Sequence, residues 1–152
     1  MADIIHRIGI KAPIASVHVA LSTIEGLSHW WTEETSGDAS VGGRITFTFR
    51  SPSGDLVGQM VMEVAESAAP ENVRWKCLEG PADWVGTRFT FELSEQDEQT
   101  ILLFGHRDWA EASESMAHCS MKWAVFLLSL KDYVLTGKGK PSPGDLKIDN
   151  WN

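Results

Sequence analysis

The spacing of apolar positions along the chain alternates between a period of two and a period near 3.6. From Asp3 to Lys11, Ile4, Ile8 and Ile10 share one register with His6, which predicts a strand that Pro13 stops. Val17, Ala20, Leu21 and Ile24 then recur at helical spacing until Gly26, and a second short helix is expected to lead into Trp30 and Trp31. After Gly42 and Gly43 the period returns to two. "RITFTFR" sets Ile45, Phe47 and Phe49 against Arg44, Thr46, Thr48 and Arg50, and "LVGQMVMEV" sets Met60, Met62 and Val64 against Gln59 and Glu63, so these two segments predict a hairpin across "SPSGD".

Two further one-sided strands follow. "VRWKCLE" alternates Val73, Trp75 and Cys77 with Arg74 and Lys76, and "VGTRFTFEL" alternates Val85, Phe89, Phe91 and Leu93 with Arg88 and Glu92. "TILLFGHRDW" is apolar in both registers, so periodicity leaves open which face carries Leu102, Phe104 and His106. From Ser115 to Leu135, Met116, Ser120, Trp123, Leu127, Leu130 and Val134 trace one helical stripe that ends at Gly137. The opposite stripe, Ser115, His118, Lys122, Ser129, Asp132 and Thr136, reads as solvated.

The predicted order is a strand, two short helices, a meander of five strands and one long amphipathic helix, which is an α+β fold. A sheet apolar on one side needs a cover, and only the long helix can supply it. Residues 1–139 read as one domain and 140–152 as a tail too poor in apolar residues to form an element. A curved sheet around a helix leaves a gap, and an inward set of Trp, Phe and Met suits an irregular apolar cavity.

Charge narrows the partners. Thirteen Lys and Arg against 21 Asp and Glu leave a formal net charge of −8, which repels phosphate backbones and anionic headgroups; no nucleic acid and no membrane partner is expected. With no leader-like h-region and no apolar run near the ~18 residues of a span, a cytoplasmic location is expected. The two cysteines, Cys77 and Cys119, read as buried thiols rather than a disulfide. No metal is expected, because the histidines and cysteines are scattered over different elements rather than set at ligand spacing, and no cofactor; the absence of H-E-x-x-H, a P-loop and a G-x-G-x-x-G ahead of a helix weighs against catalysis.

"HRIGIKAPIASVHVALSTIEGLSHWWT", "ADWVGTRFTFEL", "TILLFGHRDW" and "HCSMKWAVFLLSLKDYVLTGKG", in that order, resemble the START-like helix-grip superfamily, in the branch similar to the activator of the ninety-kilodalton heat-shock chaperone's ATPase. The likeness runs from Ile5 to about Gly139. It implies a curved antiparallel sheet of about six strands wrapped around the long C-terminal helix, and a cavity beneath that helix. In that superfamily the cavity holds sterols, lipids, polyketides or hormones, and some members cyclise polyketides there; others bind a chaperone with the help of a separate N-terminal domain, whereas this sequence opens on the first strand.

The leading expectation is therefore a small hydrophobic or amphipathic ligand between sheet and helix. Its expected walls are Trp30, Phe47, Met60, Trp75, Phe89, Phe91, Trp109, Met116, Trp123 and Leu127. Successive helical positions lie about 100° apart, so one of Trp30 and Trp31 is expected in the core and the other, Trp30, at the cavity. The alternatives are a cavity enzyme of polyketide cyclase type, with His106 as acid or base, Asp108 as its orienter and Arg88 as an anion contact, and a module that binds a chaperone or other protein. Val57 and Val61 on the outer register are compatible with a homodimer through the sheet. Among the other histidines, His18 and His118 are expected at the surface, His6 as a hydrogen-bonded core residue, and His29 at the cavity mouth.

Overall fold

The structure, a computed structural model, describes every residue from Met1 to Asn152. Strand β1 (Ala2–Ile10) is followed by helices α1 (Ile14–Ser22) and α2 (Ile24–Trp30). Six more strands come next: β2 (Glu34–Gly37), β3 (Arg44–Arg50), β4 (Leu56–Ala68), β5 (Asn72–Glu79), β6 (Arg88–Gln96) and β7 (Gln99–Trp109). Helix α3 (Glu114–Thr136) closes the domain. All seven strands form one antiparallel sheet in the order β1-β7-β6-β5-β4-β3-β2, one strand more than the expected six or so. The added strand, β2, is four residues long, almost wholly exposed and without apolar alternation, so period-two patterning had nothing to register.

Local chemistry accounts for the helix ends. The break between α1 and α2 falls at Thr23, whose hydroxyl accepts from Gly26 N–H at 3.0 Å, rather than at Gly26. Gly26 instead sits inside α2 because a Cβ there would lie 2.7 Å from the Ala20 backbone, so the glycine lets the two helices pack at a tight corner. Ser113 caps α3 by accepting from Met116 N–H at 3.1 Å, and Gly137 ends it in the left-handed region at φ 83°.

Irregular pairings interrupt the β1–β7, β3–β4 and β4–β5 ladders, and such bulges bend and twist the strands that carry them. The inner face gathers Phe47, Met62, Trp75, Phe89, Phe91 and Phe104, all buried against Trp123, Leu127 and Leu130 of α3. Leu102, Phe104 and His106 face inward. Pairing of His6 with Phe104 and of Phe91 with Phe104 fixes the choice that the two apolar registers of β7 left open.

The tail is bound to the body although it forms no helix or strand. Ser142 N–H donates to Trp31 O at 2.7 Å, and Glu33 N–H donates to Ser142 O at 3.0 Å. Asp145 is buried and pairs with Lys122, and Asp149 pairs with His118 at 2.6 Å. The stripe of α3 that reads as solvated is thus partly covered: Lys122 and Ser129 are buried, and His118 is half-buried. The paired spacing is visible in retrospect, since His118 and Lys122 are four residues apart and so are Asp145 and Asp149.

Candidate functional site

Trp30 and Trp31 are both buried, and their rings lie 6.2 Å apart and nearly parallel, because α2 ends between them and helical divergence does not apply. Trp30 turns into the α1–α2 corner, where its indole N–H donates to Ala20 O at 2.9 Å. Trp31 turns toward the sheet. It stacks on Trp75 at 5.9 Å and meets Phe47 at 4.2 Å and Trp123 at 4.9 Å. The inversion of the expected roles follows: Trp31, and not Trp30, reaches the cleft.

That cleft, about 880 Å³, opens at one end of the interface between sheet and helix. Its floor is Trp31, Phe49, Trp123 and Phe126; its walls are the first half of β4 around Met60, the connection from β5 to β6 with Trp84 and Val85, and the first turns of α3 with Ser115, Cys119 and Lys122. Trp151 and Asn152 of the tail border it. Volume and lining suit one small, largely apolar molecule.

The ten expected wall residues divide. Met60 and Trp123 line the cleft; Trp30, Phe47, Trp75, Phe89, Phe91, Trp109, Met116 and Leu127 do not. Most of the latter fill the core beside it, as with Trp75 against Phe91 at 4.9 Å and Trp109, which donates from its indole to His106 O at 3.1 Å. Trp31, Phe49, Trp84, Phe126 and Trp151 also line the cleft; Trp31, Trp84 and Trp151 owe their places to a helix end, a loop and the tail, while Phe49 lies near the end of β3 and Phe126 in the middle of α3. Val57, expected on the outer face, lines the cleft because the β3–β4 pairing shifts between Phe49 and Arg50, and Val85 lies in the loop before β6, outside the strand expected to hold it.

His106, Asp108 and Arg88 do not converge. Asp108 has φ 70°, which turns its carboxylate away from the inward register, and it pairs with Arg88 at 2.5 Å where both are solvent-accessible. His106 is fully buried outside the cleft lining. Trp123 Nε1–H donates to its Nδ1 at 3.2 Å, so its Nε2–H donates to Thr87 Oγ1 at 2.9 Å, and the Thr87 hydroxyl donates on to Trp84 O at 2.5 Å. This chain satisfies a neutral ring completely and ties α3 to the β5–β6 connection.

Burial pushes the His106 imidazole down to about 3. Because that lies below the unfolded value of 6.5, the ring's contribution to stability is complete above about pH 6.5 and is lost as pH falls toward about 3. Unfolding titrations between about pH 7 and pH 5 are expected to show a loss of up to about 1.4 kcal/mol per pH unit. A His106 resonance titrating near its ordinary value would contradict this account.

The remaining histidines are structural. His18, expected at the surface, is buried and donates to Asn72 O at 3.0 Å; His6 donates to Ser120 O at 3.0 Å. His29 is exposed, stacks on Tyr133 at 5.0 Å, and lies away from the cleft. Burial raises both the Cys77 and Cys119 thiols to about 11, which leaves them neutral and poor nucleophiles. No three His, Cys, Asp or Glu side chains stand together as metal ligands. At the cleft, Lys122 is held by Asp145 and His118 by Asp149, beside a lining that is largely aromatic.

Residues 11–135 match the family model of the activator of Hsp90 ATPase homolog 1-like proteins. The chain belongs to this family. Among solved structures, the Aha1 dimer from Colwellia psychrerythraea is 42% identical, with 91% of this chain covering 100% of that one at a TM-score of 0.78. CalU16 from Micromonospora echinospora is similar in fold at 22% identity and TM-score 0.69, over 93% of this chain and 77% of that one. DynU16, from the dynemicin biosynthetic locus, is 19% identical at TM-score 0.73, over 90% of this chain and 48% of that one. No curated protein matches the chain. The curved sheet and the long C-terminal helix are those of the family's α+β fold, and no helix is long and apolar enough to cross a membrane.

Proposed function

We propose that this member of the family binds a small hydrophobic or amphipathic molecule in the cleft beneath α3. The observation that carries the reading is an open cleft of about 880 Å³ whose floor is the edges of Trp31, Trp123 and Phe126, rings otherwise packed into the core. Ring faces supply apolar contact and shape, while Ser115, Gln59 and the rim formed by the tail supply polar edges for one end of the ligand.

Anilinonaphthalene sulfonate, which fluoresces in apolar pockets, is expected to bind the folded protein with micromolar-class affinity, about −8 kcal/mol. Cys119→Trp, which fills the cleft from α3, should abolish that binding while the circular dichroism stays native. Trp31→Ala should weaken it about tenfold or more, and Trp30→Ala should lower stability with binding intact in the fraction that remains folded. Absence of probe binding, or binding indifferent to Cys119→Trp, would remove the cleft as the site.

The Colwellia relative is a dimer. We extend the same state to this chain, as a pairing of two identical copies.

A further inference from the structure

The sheet's outer face exposes Ile5 and Leu103, but Arg74 between Glu66 and Glu92, Arg88 on Asp108 and Arg107 on Asp3 spread ion pairs over it from β4 to β1. The back of α3 is different. Ala117, Met121, Ala124, Leu128, Lys131 and Leu135 follow one another at intervals of four, three, four, three and four, which is the spacing of a coiled-coil seam. Met121 is 57% exposed, Leu128 58% and Leu135 46%, although the opposite side of the same helix is the core of the protein. A helix that is apolar on both sides has a face without a partner.

We propose that this seam is the homodimer interface, with two α3 helices packed antiparallel about a two-fold axis. The inference rests on the dimer reading above and adds its surface and register. Pairing residues whose numbers sum to a constant across the axis sets Ala124 against Leu128 of the other copy, Ala117 against Leu135, and Met121 against the aliphatic stem of Lys131. Every apolar layer then joins a small residue to a large one or a long chain to a long chain, as close helix packing requires. Outside these layers, Glu114 is exposed in the first turn of α3. A parallel pairing would instead set Lys131 against Lys131, Glu114 against Glu114 and alanine against alanine, with repulsion at two layers and gaps at two more.

The seam from Ala117 to Leu135 is about 27 Å long. One helix on one helix lies at the small end of specific interfaces, so the dimer is expected to be reversible and its equilibrium to respond to single substitutions.

The test is sedimentation equilibrium of the full chain over a concentration series, with circular dichroism as the check on folding. Leu128→Glu should raise the dissociation constant by about tenfold or more without changing the fold, since Leu128 is exposed in the protomer. Met121→Lys should weaken the dimer, because it sets a charge against Lys131 of the other copy, and Met121→Glu should leave it intact by pairing with that lysine, which only an antiparallel register predicts. A wild-type chain that stays monomeric would overturn the dimer reading itself. A dimer unmoved by Leu128→Glu would keep that reading and overturn the α3 surface, and a dimer weakened as much by Met121→Glu as by Met121→Lys would overturn the register.

Discussion

Trp123→Ala is expected to destabilise the protein by about 3–5 kcal/mol. The ring is 2% exposed at the centre of α3, with Phe104 at 4.5 Å, Trp31 at 4.9 Å and Phe89 at 5.7 Å. Truncation removes its packing and also its N–H, which leaves Nδ1 of the buried His106 without its donor. For a domain of this size the loss corresponds to a fall in Tm of about 10 °C. A loss below about 1 kcal/mol in a denaturant titration would mean that the core does not close around this ring.

The second large effect is expected at the tail. Asp145→Ala should cost about 3 kcal/mol or more, because it strands the Lys122 ammonium under the tail without its carboxylate. Both side chains are almost wholly enclosed, with 9% of Lys122 and none of Asp145 exposed. Lys122→Met together with Asp145→Ala should recover most of the loss, since no uncompensated charge then stays buried. The pair also sets an acid limit. Burial raises the Asp145 pKa, but hydrogen bonds and charge from Lys122 and Lys147 outweigh it and hold the carboxyl below its ordinary value of 3.8. The stabilisation is therefore present in full above about pH 4 and is lost as pH falls through the depressed value. Acid titration of Trp151 fluorescence should show the tail releasing in that range, and a signal flat down to about pH 2 would refute this role for the pair.

The two effects fall on residues that the apolar pattern treats very differently. Trp123 lies in the middle of an unbroken helical stripe, and its burial against a sheet is legible from the spacing alone. Lys122 is its neighbour in sequence and lies on the stripe that the same spacing assigns to solvent; only the return of the tail buries it. Within the cleft the contrast recurs. Met60 and Trp123, which strand and helix periods turn inward, border it, whereas Trp84 and Trp151 come from a connection and from the tail, where no period exists to reveal a direction.

The amino-acid sequence by itself determined the element order apart from β2, the inward faces of β3 to β6, the Gly137 end of α3 and the family to which the chain belongs. Each of these depends on interactions within a few residues or on a repeating period, both of which local composition encodes. The tertiary structure alone decided the rest. The inward direction of His106 was set by the pairing of β7 with β1 and β6, because both of its registers are apolar. The outward turn of Asp108 was set by a single positive φ. The exchange of roles between Trp30 and Trp31 was set by the end of α2 falling between them. His106 is directed by pairing between segments far apart in the chain, which a local period cannot carry, whereas Asp108 and the two tryptophans are directed by a backbone turn at the point where the period ends.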